Sequence, residues 1–453
     1  MYQEFFEEAL KLHKAGEYQQ AIGMYNRLLN RAPFDTTLQF MLADAFSRAE
    51  CNGMAVNLLH NLLQEKPDFS EAWCNLGVAY RKEDFFKEAE TAWKKAIELS
   101  GDSVEVCSNM ASMFADHGEP EKTLEWCKRA LACDPENNDA HWHKALAYLT
   151  MGNFAEGFEE YEHRRQLAHW DSRKALDIPS WDGNYVDHLY IHGEQGVGDE
   201  IMFLSLLDEV RPLVGKVTLE LNKKVIEIAQ LTWPDIEIVE TEQEAIGTGK
   251  KYDAKIPIGS LARLFRKDGF PGTAYLKPDH KKVEFYKNEL RKLGKPPYIG
   301  LAWIGGMKST RISDRSLNLV ELKPFMDKYT CVSVQYSDTN PMIDPERQSF
   351  GLVKLDDLCI GKNLADQAAL FKALDAIVTV QQTAVHVAGA VGTPCYAMIP
   401  HNPQWRYGLK DTMPWYSSVK LFRKPPEKKW AVVVQHVMER IDADFSGRSK
   451  AAA

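Results

Sequence analysis

The run Gly193-Glu194-Gln195-Gly196-Val197-Gly198-Asp199 sets three glycines and a carboxylate between a strand-like segment, HLYIH, and an apolar helical pattern, EIMFLSLL. Glycines permit a tight turn and a close approach of a ligand to the backbone. The N–H groups and dipole at a helix start favour an anionic or oxygen-rich ligand, with Gly196 and Gly198 as the points of approach. The spacing is G-x-x-G-x-G, not the dinucleotide fingerprint, and no Walker lysine follows, so nucleotide hydrolysis is not expected. Asp199 falls where an N-cap or first-turn acid is expected, and capping is its plain role. A second run, Gln381-Gln382-Thr383-Ala384-Val385-His386, follows the strand pattern AIVTV and opens a small-residue helix ended by Gly392-Thr393-Pro394. Thr383, with the amides of Thr383 and Ala384, predicts a second anion site at a helix N-terminus. His386 lies one turn further in, where packing and chemistry are equally good readings.

The elements that must position these loops alternate. Strand patterns at HLYIHGEQ, KVTLELN, YIGLAWIGG, TCVSVQY, DAIVTVQQ and PCYAMIP are separated by helical patterns such as KKVIEIAQLTW, LNLVELKPFMDKY and NLADQAALFKAL. Strands alternating with helices predict parallel, doubly wound sheets. The series restarts near Pro296–Pro297 after a charged helix, His280–Leu293. We therefore expect two Rossmann-like halves, 187–295 and 296–445, whose facing strand C-termini form a ligand cleft. The segment Pro400–Tyr407 follows the strand YAMI and so belongs to that cleft. There Trp405 or Tyr407 would stack on a base or sugar ring and Arg406 would meet phosphate. Ordinary aromatic packing is the alternative.

Upstream, the chain repeats every 34 residues. Ala21, Ala55, Ala89, Thr123 and Gly157 form a small column, and Tyr25, Leu59, Trp93, Cys127 and Tyr161 a mostly bulky one four residues on. Ala9, Ala43, Gly77, Ala111 and Ala145 form a second small column, followed by Leu12, Phe46, Tyr80, Phe114 and Tyr148. Pro33, Pro67, Gly101 and Pro135 punctuate the units. These columns resemble the tetratricopeptide repeat, a helix–turn–helix unit that cannot bury its apolar face alone and must stack. About five units are expected over residues 1–168. Their groove would hold a peptide or protein partner, or the array would act as a spacer or dimerisation arm. Residues 169–186, without period, are expected to connect the array to the first half, and 446–453 to form a tail.

Composition agrees with this division. The chain has 453 residues and a formal net charge of −9. Residues 1–165 carry −11 and the remainder +2. An acidic chain disfavours nucleic acid as a general partner. The longest apolar runs, such as Ala431–Val434, are too short to cross a bilayer. Eight cysteines stand at 51, 74, 107, 127, 133, 331, 359 and 395 without a C-x-x-C pair, which points to reduced thiols, with no zinc site expected. The acidic, amphipathic N-terminus does not read as a signal peptide. A cytoplasmic protein is expected.

GEQGVGDEIMF, GLAWIGG with DRSL, and TAVHVAGAVGTP, in that order, resemble the glycosyltransferase family of the bacterial lipopolysaccharide heptosyltransferases, in its branch with a tetratricopeptide array. The architecture is also similar to protein O-linked N-acetylglucosamine transferases. The resemblance implies a GT-B fold and an inverting, metal-independent transfer of a sugar from a nucleoside-diphosphate donor, with no further cofactor. It implies an acceptor lobe at 187–295, a donor lobe at 296–445, and a last helix that crosses back to the first lobe. It makes Asp199 the base that deprotonates the acceptor hydroxyl. Positive charge at the leaving diphosphate would come from the basic loop holding Lys308, Arg311, Arg315 and Ser316, with Arg315 preferred for its bidentate fork. Gln381, Gln382, Thr383, Ala384 and His386 match the donor-binding motif, except that Gln381-Gln382 stands where the family has Asp-Thr. That departure leaves the donor sugar open and admits a scaffold that no longer turns over. A phosphate-ligand enzyme of another class, such as a sugar epimerase, is a third reading.

Overall fold

The protein is described by a computed structural model over residues 2–167, 176–306, 312–336, 343–355 and 363–446. It forms two compact units, residues 1–147 and 148–453.

The first unit is all helical: α1 (Tyr2–Lys14), α2 (Tyr18–Leu29), α3 (Thr36–Arg48), α4 (Asn52–Glu65), α5 (Ser70–Lys82), α6 (Phe86–Ser100), α7 (Val104–His117), α8 (Pro120–Cys133) and the larger part of α9 (Asn138–Met151). From α1 to α8 each helix packs mainly on its neighbours in the chain, as in a solenoid. The small columns explain why. Ala9, Ala21, Ala43, Ala55, Ala89, Ala111, Thr123 and Ala145 are all fully buried. A Cβ on Gly77 would lie 2.4 Å from the Trp93 indole nitrogen, so only glycine lets α5 and α6 close over that ring. The indole N–H donates to the Cys74 carbonyl at 3.1 Å. Asp35 caps α3 by accepting from the amides of Thr37 and Leu38, and Ser103 caps α7 through the Val106 amide. Gly101 ends α6 with φ +79°, a glycine solution to the stop that proline supplies in the other units.

The second unit starts with the end of α9, then α10 (Phe154–Glu160) and a 3-10 turn, Tyr161–Gln166. Two parallel sheets follow. The first has the order β3-β2-β1-β4, with β1 Val186–His192, β2 Val214–Glu220, β3 Glu237–Val239 and β4 Ala254–Pro257. Leu189 pairs with Val217 on one side and Ala254 on the other. The second has the order β6-β5-β7-β8-β9, with β5 Tyr298–Ala302, β6 Thr330–Ser333, β7 Ala376–Val380, β8 Cys395–Ile399 and β9 Val419–Arg423. Every residue of β7 and β8 is buried, as expected of central parallel strands covered on both faces.

Three expectations change. Part of the connecting segment joins the first sheet: Ser180 bridges Lys255 of β4, and Trp181, almost wholly buried, donates to the Lys255 carbonyl at 2.8 Å. Strands β3, β4 and β9 had no sequence signal, because the first two are only three and four residues long and β9 carries Lys420 and Arg423. The last helix, Trp430–Ser446, does not cross back. Trp430, Val433, Val434, Val437 and Ile441 complete the core under the second sheet with Ile299, Val378 and Tyr396, and Asp442 and Asp444 accept from the Tyr329 and Tyr396 hydroxyls at 2.6 Å. Its apolar stripe is matched by its own lobe.

Candidate functional site

In an open parallel sheet, ligands bind beyond the strand C-termini where the strand order reverses. In the first sheet that point lies between β1 and β4, and in the second between β5 and β7. The glycine loop leaves β1 and the Gln381-Gln382 run leaves β7, so both occupy switch points. Both open helices: α11 (Val197–Leu204) and the helix Thr383–Val391. The two helix starts meet. A Cβ on Gly198 would lie 3.3 Å from His386 Cδ2 and 3.5 Å from Thr383 Oγ1, so a side chain there would press on the second lobe.

Between them lies a cavity of about 800 Å³. Gly196, Gly198, Asp199, Arg315, Gln381, Gln382, Thr383, Ala384, His386 and Arg406 all line it. Asp199 has two engagements. Its Oδ2 accepts from the Gly196 amide at 3.3 Å, which is the expected cap, and its Oδ1 is paired with the Arg406 guanidinium. Arg406 also donates to Gln195 Oε1 at 3.2 Å and Gln404 Oε1 at 3.3 Å. Burial is the largest influence on the Arg406 pKa and lowers it, but the charge and hydrogen bond of Asp199, with Tyr161 and Tyr407, together outweigh it and the guanidinium stays charged. His386 is buried, and desolvation with repulsion from Arg406 pushes its pKa down to about 3. It is therefore a neutral imidazole at ordinary pH, with Nδ1 3.4 Å from the Tyr416 hydroxyl.

Other expectations are corrected. Trp405 does not line the cavity. It is 6% exposed, and its ring packs among Phe158, Tyr161 and Trp415 at centroid distances of 5.8–6.3 Å. It supports Arg406, whose guanidinium lies 4.9 Å from the Trp405 ring centre. The neighbouring Tyr407 lines the cavity instead, and burial raises its pKa. Arg406 meets a carboxylate where phosphate was expected. Ser316 faces an adjoining hollow and accepts from the Gly305 amide at 3.1 Å, so it shapes the β5 loop. Lys308 and Arg311 lie outside the described residues.

Sequence reading missed Lys224 and Tyr336, which also line the cavity. Lys224 Nζ sits 3.3 Å from the Tyr336 hydroxyl and 4.9 Å from its ring centre. The available signal was positional, since Lys224 lies four residues past β2 and Tyr336 three residues past β6. Gln335 accepts from the amides of Trp303 and Ile304 at 2.8 and 2.9 Å, holding the loop after β5. Among the described lining residues, Lys224, Arg315 and Arg406 are cationic and Asp199 is the single acid. The site thus carries excess positive charge, with two helix N-termini adding to it.

A tetratricopeptide repeat model matches residues 70–103. Protein FlbA of Caulobacter vibrioides is 26% identical over 422 residues, covering 84% of this chain and 68% of FlbA. The tetratricopeptide repeat-containing protein trd-1 of Caenorhabditis elegans is 24% identical over 174 residues, covering 32% of this chain and 23% of trd-1. Among solved structures, a thermophilic tetratricopeptide protein of Thermus thermophilus, TTC0263, is 21% identical, with a TM-score of 0.33, covering 37% of this chain and 92% of TTC0263. The chain carries tetratricopeptide repeats, which suggest a peptide or protein partner, followed by an α/β unit with parallel sheets. Among the described residues, no helix is long and apolar enough to cross a membrane.

Proposed function

We propose that the second unit is a glycosyltransferase of GT-B type, with an acceptor lobe around the first sheet and a nucleoside-diphosphate-sugar donor lobe around the second. The carrying observation is one carboxylate, Asp199, set in a cavity with Lys224, Arg315 and Arg406 at two facing helix starts. In an inverting transfer the acceptor hydroxyl oxygen attacks the anomeric carbon as Asp199 takes its proton. The bond from that carbon to the diphosphate oxygen breaks, and the electron pair leaves with the nucleoside diphosphate. Arg315, Lys224 and the Thr383–Val391 helix start stabilise the charge that develops there. Thr383 and Ala384 hold the donor at the helix start, with Gln381 and Gln382 facing it where the resembling family has Asp-Thr. The heptosyltransferase-like motifs support this reading, and the repeat array would dock the protein that is modified or that delivers the acceptor.

Thermal shift and calorimetry against a panel of nucleoside diphosphates and nucleotide sugars test the proposal. Binding at millimolar affinity or better is expected, with Arg315→Ala weakening it about tenfold or more. Asp199→Asn should keep donor binding and lower transfer at least about a hundredfold. Full turnover in that variant removes Asp199 as base.

One observation favours a second reading, a ligand-binding scaffold without turnover. Asp199 is doubly engaged, by the Gly196 amide and by Arg406. In that case nucleotides bind, but no sugar is transferred or hydrolysed in wild type.

A further inference from the structure

Beyond the cavity, a buried polar cluster of the second unit surrounds Arg164, in the 3-10 turn that follows the final repeat helix α10. Arg164 has no exposed surface. Its Nη2 meets Glu194 Oε1 at 2.6 Å and Ser260 Oγ at 2.8 Å, and its Nε meets Glu194 Oε2 at 3.2 Å. Its Nη1 donates to the Tyr161 carbonyl at 2.9 Å and to Glu162 Oε1 at 3.0 Å. Glu194 Oε1 also accepts from the Gly259 amide at 2.9 Å. Taking two charges out of water is costly, and a fork-to-carboxylate pair with its remaining valences filled is the arrangement that offsets the cost.

The partner carboxylate matters. Glu194 is the second residue of the glycine loop, five positions before Asp199. The next residue, Gln195, is one of the few non-glycine residues with positive φ, +62°. Its amide nitrogen donates to the Tyr161 hydroxyl, and its amide oxygen accepts from Arg406, the residue paired with Asp199. Tyr161 is fully buried, with the Arg164 guanidinium 4.4 Å from its ring centre. Two residues of one short turn therefore grip two consecutive residues of the loop. Tyr161, Gln195, Arg406 and Asp199 form a continuous chain into the cavity.

We propose that Tyr161 and Arg164 are positioning residues: the turn closing the repeat array fixes the conformation of the Gly193–Asp199 loop, and through Gln195 and Arg406 it sets the placement of Asp199. The role of Asp199 as base rests on the proposed function; the grip on the loop does not. Tyr161 is the last member of the bulky sequence column, and its ring packs on Phe158 and Trp405 within the second unit.

The test uses the full chain and two variants. Tyr161→Phe removes only the hydroxyl and keeps the ring against Phe158 and Trp405. The pair Arg164→Met with Glu194→Gln removes both buried charges together, which avoids stranding either one. Amide hydrogen exchange is read by mass spectrometry, beside the affinity for nucleoside diphosphates. In both variants exchange across 193–204 is expected to rise about tenfold while that of 376–391 stays within about twofold, the mark of a local opening. Nucleoside-diphosphate affinity falls about threefold to tenfold with the loop. Where transfer is measured, Tyr161→Phe lowers kcat by more than it raises KM for the donor, a split that loss of fold does not produce. Unaltered exchange in the loop, or a rise spread evenly over the second unit, overturns the proposal. A loosened loop in a protein that binds no nucleotide even as wild type supports the positioning role and sinks the transferase reading instead.

Discussion

The two units bury glycine and polar residues for different reasons. In the repeat array, Gly77 is small because the Trp93 ring of the neighbouring helix takes its space, and the same column is alanine in the other units. In the α/β unit, Gly198 is small because the start of a helix nearly two hundred residues later comes within reach of its absent side chain. The polar groups differ likewise. In the array, pairs such as Arg81 with Asp116 and Arg129 with Asp102 join neighbouring repeats and are partly exposed. In the second unit, Arg164 with Glu194 and Arg406 with Asp199 are buried or nearly so and join distant segments. A solenoid is held by near neighbours, whereas a switch-point site is held by whatever the fold brings to it.

Breaking this contrast has graded consequences. The largest is expected for Arg164→Met alone, which strands the Glu194 carboxylate and destabilises the second unit by about 3–5 kcal/mol. Hydrogen exchange of peptides from α2 to α6 should stay at the wild-type rate. Equal loss in both units would mean they do not melt separately. Next, Gly77→Ala forces the Trp93 ring aside and costs about 1–3 kcal/mol in the array. The comparison predicts that nucleotide affinity is unchanged in that variant, which calorimetry checks.

A third effect is pH dependence. His386 has a folded pKa of about 3 against 6.5 in the open chain. A group whose folded pKa is depressed in this way gives stability that is fully present above pH 6.5. Between pH 6.5 and about 3 the unfolded chain takes up a proton that the folded one refuses, so stability falls on acidification. His386→Gln should flatten that part of the melting-temperature profile relative to wild type, and a profile of unchanged slope refutes the assignment. The smallest stability effect is expected for Gly198→Ala, within about 1 kcal/mol, because a helical alanine offsets the tighter contact with His386. Ligand affinity at the same site should drop, which separates the role of this glycine from that of Gly77.

Much of this was legible in the chain itself. The 34-residue period exposes which positions must be small, and all of the alanines in the two small columns are buried. The strand–helix alternation carried the parallel sheets, and the glycine and Gln381–His386 runs marked both switch-point loops. Strands β3 and β4 were not legible: at three and four residues they carry no period, whereas the equally short β6 was marked by the longer run TCVSVQY. Trp405 was misplaced because an aromatic beside a cleft reads the same whether it faces ligand or core. The last helix was misplaced because a resemblance, not its own apolar stripe, set its docking.

By itself the sequence determined the local matters: repeat spacing, helix stops at Pro33 or Gly101, the cap at Asp199, and an acidic array beside a nearly neutral remainder. These follow from backbone geometry and neighbours a turn apart. Only the tertiary structure decided that Arg406 pairs with Asp199, that Lys224 and Tyr336 join the cavity, and that Arg164 of the last repeat turn holds the glycine loop. Such pairings depend on which distant segments share a dry space. There an unmatched charge costs more than any local preference can supply.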